Sequence, residues 1–325
     1  MTRRTFVQQA AALASVAALP GAAGAQPAWP SRPIRWIVPF LPGTAPDMTV
    51  RAVAEPLSEI LGQPVVIDNK AGAAGNIGAQ QAARAQPDGY TWVYSATPMA
   101  GNMRMYKAPG YDVMSDFIHV SRLASSDVLL VVSAESGMRT TKDLIDRMRQ
   151  QPGKLNYGSG GVGSPNHLGA ELLLSVAGVQ AVHVPYKGTV DAVNALIGRQ
   201  LDFALPIFSV GLPHVASGRL TALAVAGPRR NAKLPDVPTL AEGGIEGVSL
   251  LSFGGLSVPA RIPAPIVARI NAAVREALQR PAVHARLTAG GGTPSWSSVE
   301  DYTQQVRAQI ADTEKMMKLA RLEPQ

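Results

Sequence analysis

Val38-Pro39-Phe40-Leu41-Pro42-Gly43-Thr44-Ala45-Pro46-Asp47 and Tyr157-Gly158-Ser159-Gly160-Gly161-Val162-Gly163-Ser164-Pro165-Asn166-His167 are two glycine-bearing turns, each feeding the start of a helix-like segment. Glycine lets the backbone come close to a ligand, and the first N–H groups of the following helix have no partner within it. Each turn therefore has the chemistry of an anion cradle. They lie about 120 residues apart, which places them in different lobes. Two cradles facing each other across a cleft would hold a small carboxylate. That arrangement points to a binding protein before it points to an enzyme.

Outward from the turns, strand-like and helix-like segments alternate, the mark of an α/β fold with a largely parallel sheet. The first strand is expected over 34–38, and a helix over 45–61 with Val50, Val53, Leu57, Ile60 and Leu61 near one face. Thr44 and Asp47 have capping-box spacing, and Pro56 is expected to kink that helix or shift its start. A strand over 65–67 leads into a third glycine-rich turn, Gly72 to Gly78, and a helix ending near Arg84; another strand covers 90–95. The apolar run 128–132 reads as a buried strand crossing into a second lobe. There, helices are expected over 141–150, from Pro165, and over 190–197, with strands over 155–157, 181–184, 201–205 and 220–224. Residues 250–258 read as the return strand, and two or three helices close the chain, the last over 297–319. The resulting division is a signal peptide over 1–25, lobe one over 26–127 and 252–325, and lobe two over 128–251.

The first 25 residues have the layout of an export signal: the charged Arg3-Arg4, an alanine-rich apolar run, then Ala23-Gly24-Ala25. Arg3-Arg4 followed by Phe6 resembles a twin-arginine signal, which would export the protein already folded; an ordinary secretory signal carrying two arginines is the alternative. Periplasmic location is expected by either route. No later run is long and apolar enough for a membrane span, and the chain has no cysteine, which excludes disulfides, thiolate chemistry and a lipid anchor. Net charge is +7 and falls to +5 without Arg3 and Arg4. Basic residues form no run and do not interleave with aromatics, which argues against nucleic acid. A mild positive field favours small anions.

The stretch Gly158-x-Gly160-x-x-Gly163 fits the dinucleotide fingerprint in its letters, so a periplasmic oxidoreductase with a nucleotide cofactor is the rival reading. That fingerprint also needs an acidic residue about 20 positions on, at the end of the next strand, to hold a ribose. The strand ends Val182-His183-Val184-Pro185-Tyr186-Lys187, with no acid in place. Histidines 119, 167, 183, 214 and 284 lack metal-site spacing, and neither a Gly-x-Ser-x-Gly elbow nor a phosphate-binding loop is present. No cofactor, metal or catalytic residue is expected. Ser164 is a good N-cap with Pro165 at the first helical position, leaving the N–H groups of Asn166 and His167 for a ligand.

Further motifs follow in order: Trp29-Pro30-Ser31-Arg32-Pro33-Ile34, Val38-Pro39-Phe40 with Pro42-Gly43, Gly72 through Gly78, and Pro87-Asp88-Gly89-Tyr90-Thr91. Asn156-Tyr157-Gly158-Ser159, His167-Leu168, Val182-His183-Val184-Pro185-Tyr186-Lys187-Gly188 and Leu234-Pro235-Asp236-Val237-Pro238-Thr239 complete the set. Together they resemble the Bug family of periplasmic solute receptors, the binding proteins of tripartite tricarboxylate transporters, over almost the whole mature chain. The resemblance implies a two-lobed periplasmic binding protein, a type II-like Venus flytrap with two crossover strands, that closes on a small carboxylate. It implies the membrane subunits of a transporter as partners and a monomeric receptor; a sensor for a signalling receptor would need the same cleft. Carried over, the ligand-binding set is Phe40, Gly43, Thr44, Ala45 and Asp47 in lobe one, with Ser95 and Thr97 after the third strand at the cleft edge. In lobe two it is Ser159, Gly160, Gly163, Ser164, Asn166 and His167. Two departures stand out. Thr44 replaces the second glycine of the usual Pro-Gly-Gly turn, and Ala204-Leu205-Pro206-Ile207-Phe208 gives a more apolar wall than usual. Both suggest an aromatic or partly apolar acid.

Overall fold

The structure, a computed structural model, describes residues 29–162, 164–289 and 291–324. The signal peptide expected over 1–25 lies outside them. The chain begins with β1 (Ile34–Val38), α1 (Ala45–Leu61), β2 (Val65–Asn69), α2 (Asn76–Ala83), β3 (Thr91–Ala96), α3 (Thr97–Met105) and β4 (Phe117–Asp127). It continues through β5 (Leu129–Ser133), α4 (Thr141–Gln150), β6 (Asn156–Ser159), α5 (Pro165–Ala177), β7 (Val182–Pro185), α6 (Thr189–Ile197), β8 (Phe203–Ala204), α7 (Phe208–Ala216) and β9 (Leu220–Val225). Then come β10 (Leu251–Pro259), α8 (Ala264–Gln279), α9 (Pro281–Ala289), β11 (Thr293–Pro294) and α10 (Val299–Leu319).

Among the described residues the strands form two sheets, one per lobe. The six-stranded sheet has the order β11-β4-β10-β3-β1-β2 and the five-stranded sheet β7-β6-β8-β5-β9. In the first, β1 runs parallel to both β2 and β3; in the second, β6 runs parallel to β7 and β8. Alternation along the strands serves two faces at once. Trp36 and Val38 enter one lobe-one core cluster with α1 and α8, whereas Ile37 enters another with Met99, Phe253 and Tyr302. Leu130 and Val132 pack on the α4–α5 side of the second sheet, and Leu129 and Val131 on the α6–α7 side. This is the two-lobed α/β architecture expected from the alternating segments.

Two crossings join the lobes, side by side. β4 ends at Asp127, Val128 bridges to Ile207, and Leu129 opens β5. On the way back Leu250 donates its N–H to Ala226 O (2.6 Å), and Leu251 starts β10 directly opposite Asp127. β4 and β10 then pair antiparallel as far as Pro259 and Phe117. Under them lies a buried polar network. Ser95 Oγ meets Ser257 Oγ (2.6 Å) and the Tyr302 hydroxyl (2.9 Å), and His119 Nδ1 meets Ser257 Oγ (2.8 Å) while Nε2 meets Val113 O (3.0 Å). These bonds join β3, β4, β10 and α10. The last helix also spans both lobes: Tyr302 and Val306 belong to a lobe-one cluster, Met316 and Met317 to a lobe-two cluster.

Three elements lie where the sequence reading placed none. β4 reads as polar because His119 and Ser121 interrupt it, yet both are buried and bonded, Ser121 Oγ donating to Ser297 O (3.1 Å). α3 follows β3 with no turn residues between them, and α7 carries Pro213 inside it. α1 keeps its expected start at Ala45 with Pro56 included.

Gly254 and Gly255 sit in β10 where aromatic groups crowd the strand. A Cβ on Gly254 would overlap the Tyr94 phenol, and one on Gly255 would lie 2.6 Å from the Tyr302 ring. Gly255→Ala is therefore expected to cost about 1–3 kcal/mol by overpacking, read as a lower urea midpoint with an unchanged slope.

Candidate ligand-binding site

In lobe one, β1 delivers the chain into residues 39–44. Gly43 adopts φ +79°, a left-handed conformation that glycine accepts without strain. Its N–H donates to Asp47 Oδ2 (2.8 Å), and the Thr44 hydroxyl donates back to Leu41 O (2.7 Å). The expected Thr44–Asp47 capping box is thus not formed: Asp47 reaches one residue further back and pins the turn. Asp47 is 1% exposed and also accepts from Arg51 Nε (2.8 Å) and Asn69 Nδ2 (3.0 Å). Burial alone would raise its carboxyl pKa, but the bonds from Arg51, Gly43 and Asn69 hold it below the ordinary value. Asn69 Nδ2 also donates to Phe40 O (3.1 Å), while the Phe40 ring sits edge-on to Tyr94. Among the described residues nothing accepts from the N–H groups of Ala45 or Asp47. These donors open the α1 N-terminus, where the helix dipole favours an anion.

Beside this turn lies the third glycine-rich one. Gly72, Ala73, Ala74 and Gly75 have φ of 129°, 47°, 53° and 93°, a run in which the two alanines are strained. Asn102 Nδ2 holds the run by donating to Ala74 O (3.1 Å) and Asn76 Oδ1 (2.7 Å). A Cβ on Gly75 would meet Pro39 at 3.5 Å, so this turn packs directly against the first. Sequence reasoning noted its glycines without placing it at the site. The parallel pairing of β1 with β2 is the signal that could have done so, because it puts both following turns at one sheet edge.

Lobe two repeats the logic with other residues. The fully buried Ser159 donates to Gly161 O (3.0 Å), accepts from Gly161 N–H (3.1 Å) and shares a 2.7 Å bond with His183 Nε2. A Cβ on Gly160 would lie 3.3 Å from Thr189 N, so the α6 start backs this turn. Asn166 is buried: its amide donates to Leu205 O and accepts from the Thr189 hydroxyl (3.0 Å). Ser164 caps α5 by accepting from His167 N–H (3.4 Å). That bond corrects the expectation that His167 offers its backbone donor to a ligand; Asn166 N–H has no acceptor among the described residues. The His167 ring is also buried, stacked on His183 with centroids 3.9 Å apart, and His183 stacks on Tyr157 in turn. Gly163 lies outside the described residues. His183, missed as a site residue, braces the turn through Ser159; its place opposite Tyr157 in the β6–β7 pairing follows from register, which sequence alone does not supply.

Two other expectations need correction. Ser95 lies inside β3 rather than after it, is 2% exposed, and has its hydroxyl engaged by Ser257 and Tyr302. Thr97 is buried too, its hydroxyl accepting from Phe253 N–H (3.0 Å). Neither forms a cleft edge. The apolar wall also disappears, because Leu205 and Phe208 are buried in the lobe-two core. Across 39–45, 71–77, 159–166 and 186–190 only Lys187 carries charge, and Asp47 at the end of the first turn is paired with Arg51. No group of three metal-ligating side chains occurs among the described residues. What remains is one set of backbone donors in each lobe, aimed from helix N-termini at the carboxyl edges of parallel strands.

A family model described as "Tripartite tricarboxylate transporter family receptor" matches residues 49–322. Among curated relatives, a UPF0065 protein in the tcbD-tcbE intergenic region of Pseudomonas sp. (strain P51) is 37% identical over 271 residues, 81% of each chain. Protein BugT of Bordetella pertussis is 33% identical over 286 residues, 87% of this chain and 86% of BugT. Among solved structures, R. palustris Rpa4515 with adipate is 34% identical at a TM-score of 0.79, covering 91% of this chain and all of that one. The periplasmic binding protein BugD is 29% identical at a TM-score of 0.76, with the same coverage of this chain and 100% of its own.

The histidines give this lobe pair a pH signature. Burial, and for His183 the neighbouring His167, lowers the pKa of His183 to about 4; burial alone does so for His119 and also lowers His167. The folded state therefore prefers neutral rings. Their contribution is complete above the unfolded value of about 6.5 and is lost as pH falls toward 4. Denaturation followed between pH 7 and pH 4 is expected to show falling stability, with a shallower fall in His183→Asn.

Proposed function

Because the chain belongs to the family of tripartite tricarboxylate transporter receptors, we propose that it is a periplasmic solute receptor that captures a small organic carboxylate between its lobes. The observation that carries this reading is the pair of helix N-termini, one in each lobe, whose backbone donors (Ala45 and Asp47 in α1, Asn166 in α5) lack acceptors among the described residues. Such donors stabilise a carboxylate without a fixed arginine. The adipate in Rpa4515 supports the same ligand class here. We take 26–127 with 252–325 as one lobe and 128–251 as the other, hinged at the paired crossings. A ligand touching donors in both lobes favours the closed arrangement over the open one. The closed monomer then presents a surface to the membrane subunits of the transporter, and no catalytic step is required of it. Export is by the signal over 1–25, with Arg3-Arg4 directing a twin-arginine route.

Ala45→Pro tests the cradle cleanly. It deletes one N–H at the first helical position, where proline is tolerated, and Thr44 already has the extended ψ of 161° that a following proline requires. Titration calorimetry against the best acid from a thermal-shift panel is expected to show roughly tenfold weaker binding with the ligand-free melting temperature unchanged. Full affinity in the variant would remove α1 from the site. For the export route, Arg3→Lys with Arg4→Lys is expected to leave the protein in the cytoplasm; unchanged export would assign the ordinary secretory route.

A further inference from the structure

Four large aliphatic side chains stand exposed at the turns just described. Leu41 is 65% exposed, Ile77 52%, Val162 51% and Val190 56%. They are four of the eight exposed leucine, isoleucine and valine side chains among the described residues. Leu41 and Ile77 follow the neighbouring parallel strands β1 and β2; Val162 and Val190 follow the neighbouring parallel strands β6 and β7. Each lobe thus carries one aliphatic tip on its donor turn and one on the adjoining segment. Within each lobe the two segments touch: a Cβ on Gly78 would lie 2.8 Å from Pro39, and one on Gly160 3.3 Å from Thr189. The segments that carry the tips are therefore packed against the donor turns in both lobes.

Aliphatic surface exposed beside a polar cradle gains free energy when an apolar group covers it. The same segments offer a single charged side chain, Lys187, to neutralise extra anionic or hydroxyl-rich groups. A compact polar polyacid would leave the tips wet and would bury charge against few partners. An acid whose carboxylate is carried on an unsubstituted hydrocarbon body satisfies both features. Resting on the receptor reading above, we infer that the ligand is a carboxylate with an alkyl or aryl body, its carboxylate at the helix N-termini and its body under Leu41, Ile77, Val162 and Val190. This places the apolar contact at the turn tips and not at Leu205–Phe208, whose side chains belong to the core.

The test is titration calorimetry of ligand-free mature protein with hexanoate, adipate and benzoate against malate and citrate. At least one hydrocarbon acid is expected to bind ten times or more tighter than either hydroxy acid. Leu41→Ser and Val162→Ser, both on exposed turns, should each weaken that acid by about five- to tenfold, while Val176→Ser, equally apolar but remote on α5, should not. Tighter binding of malate or citrate would overturn the inference and leave the receptor reading standing. Unchanged affinity in both turn variants would also overturn it, as would an equal loss for hydrocarbon and hydroxy acids, which would assign the tips to contact between the closing lobes. Binding of no acid in either class would remove the receptor reading, and the inference with it.

Discussion

Antiparallel pairing of β4 with β10 is the constraint on which the other features rest. These strands leave and re-enter the six-stranded sheet next to each other, so two adjacent tethers lead to the second lobe from one sheet end, and α10 contacts both lobes as well. The two crossings cannot separate without breaking that ladder. The polar network of Ser95, His119, Ser257 and Tyr302 fixes the tethers from below. Buried polar groups this fully bonded specify one arrangement of neighbours, since any other leaves donors unmatched.

Both donor turns are then held rigid by a buried side chain that reaches back into the turn, with unlike chemistry in the two lobes. Asp47 does this in lobe one, tied to Asn69 and Arg51; Ser159 does it in lobe two, tied to His183. The groups left without acceptors at both turns are backbone N–H, and the buried side chains hold the turns that carry them. Preorganised dipoles of this sort need no reorganisation when an anion arrives.

Much of the fold was legible in the sequence because each strand–turn–helix unit carries local signals. The start of α1 at Ala45, the span of α4 and the Ser164-Pro165 opening of α5 were readable from residue type alone. β4 was not, because its polarity makes sense only beside Ser257 and Ser297, more than a hundred residues away. The site was legible in the same measure. Glycine turns announce backbone donors, but whether Asp47 caps its own helix or pins Gly43 depends on a one-residue difference in reach. Ser95 and Phe208 were misplaced for a related reason: adjacency to a turn in sequence does not say which face of the sheet a residue meets. Only pairing register decides that.

Lobe one is assembled from the two ends of the chain, and this sets the order in which the protein can fold during synthesis. The lobe-two sheet is complete once β9 has been made, all its strands lying between Leu129 and Val225. Lobe one by then has β1 to β4 but lacks β10, which must insert between β3 and β4, and lacks α10, whose Tyr302 closes its core. Ser95 waits 162 residues for Ser257. The nascent chain therefore carries unpaired β3 and β4 edges until β10 has been made, a state that calls for protection from aggregation. α10 seals one core with Tyr302 and joins the other with Met316, so a single late helix completes the packing of both lobes.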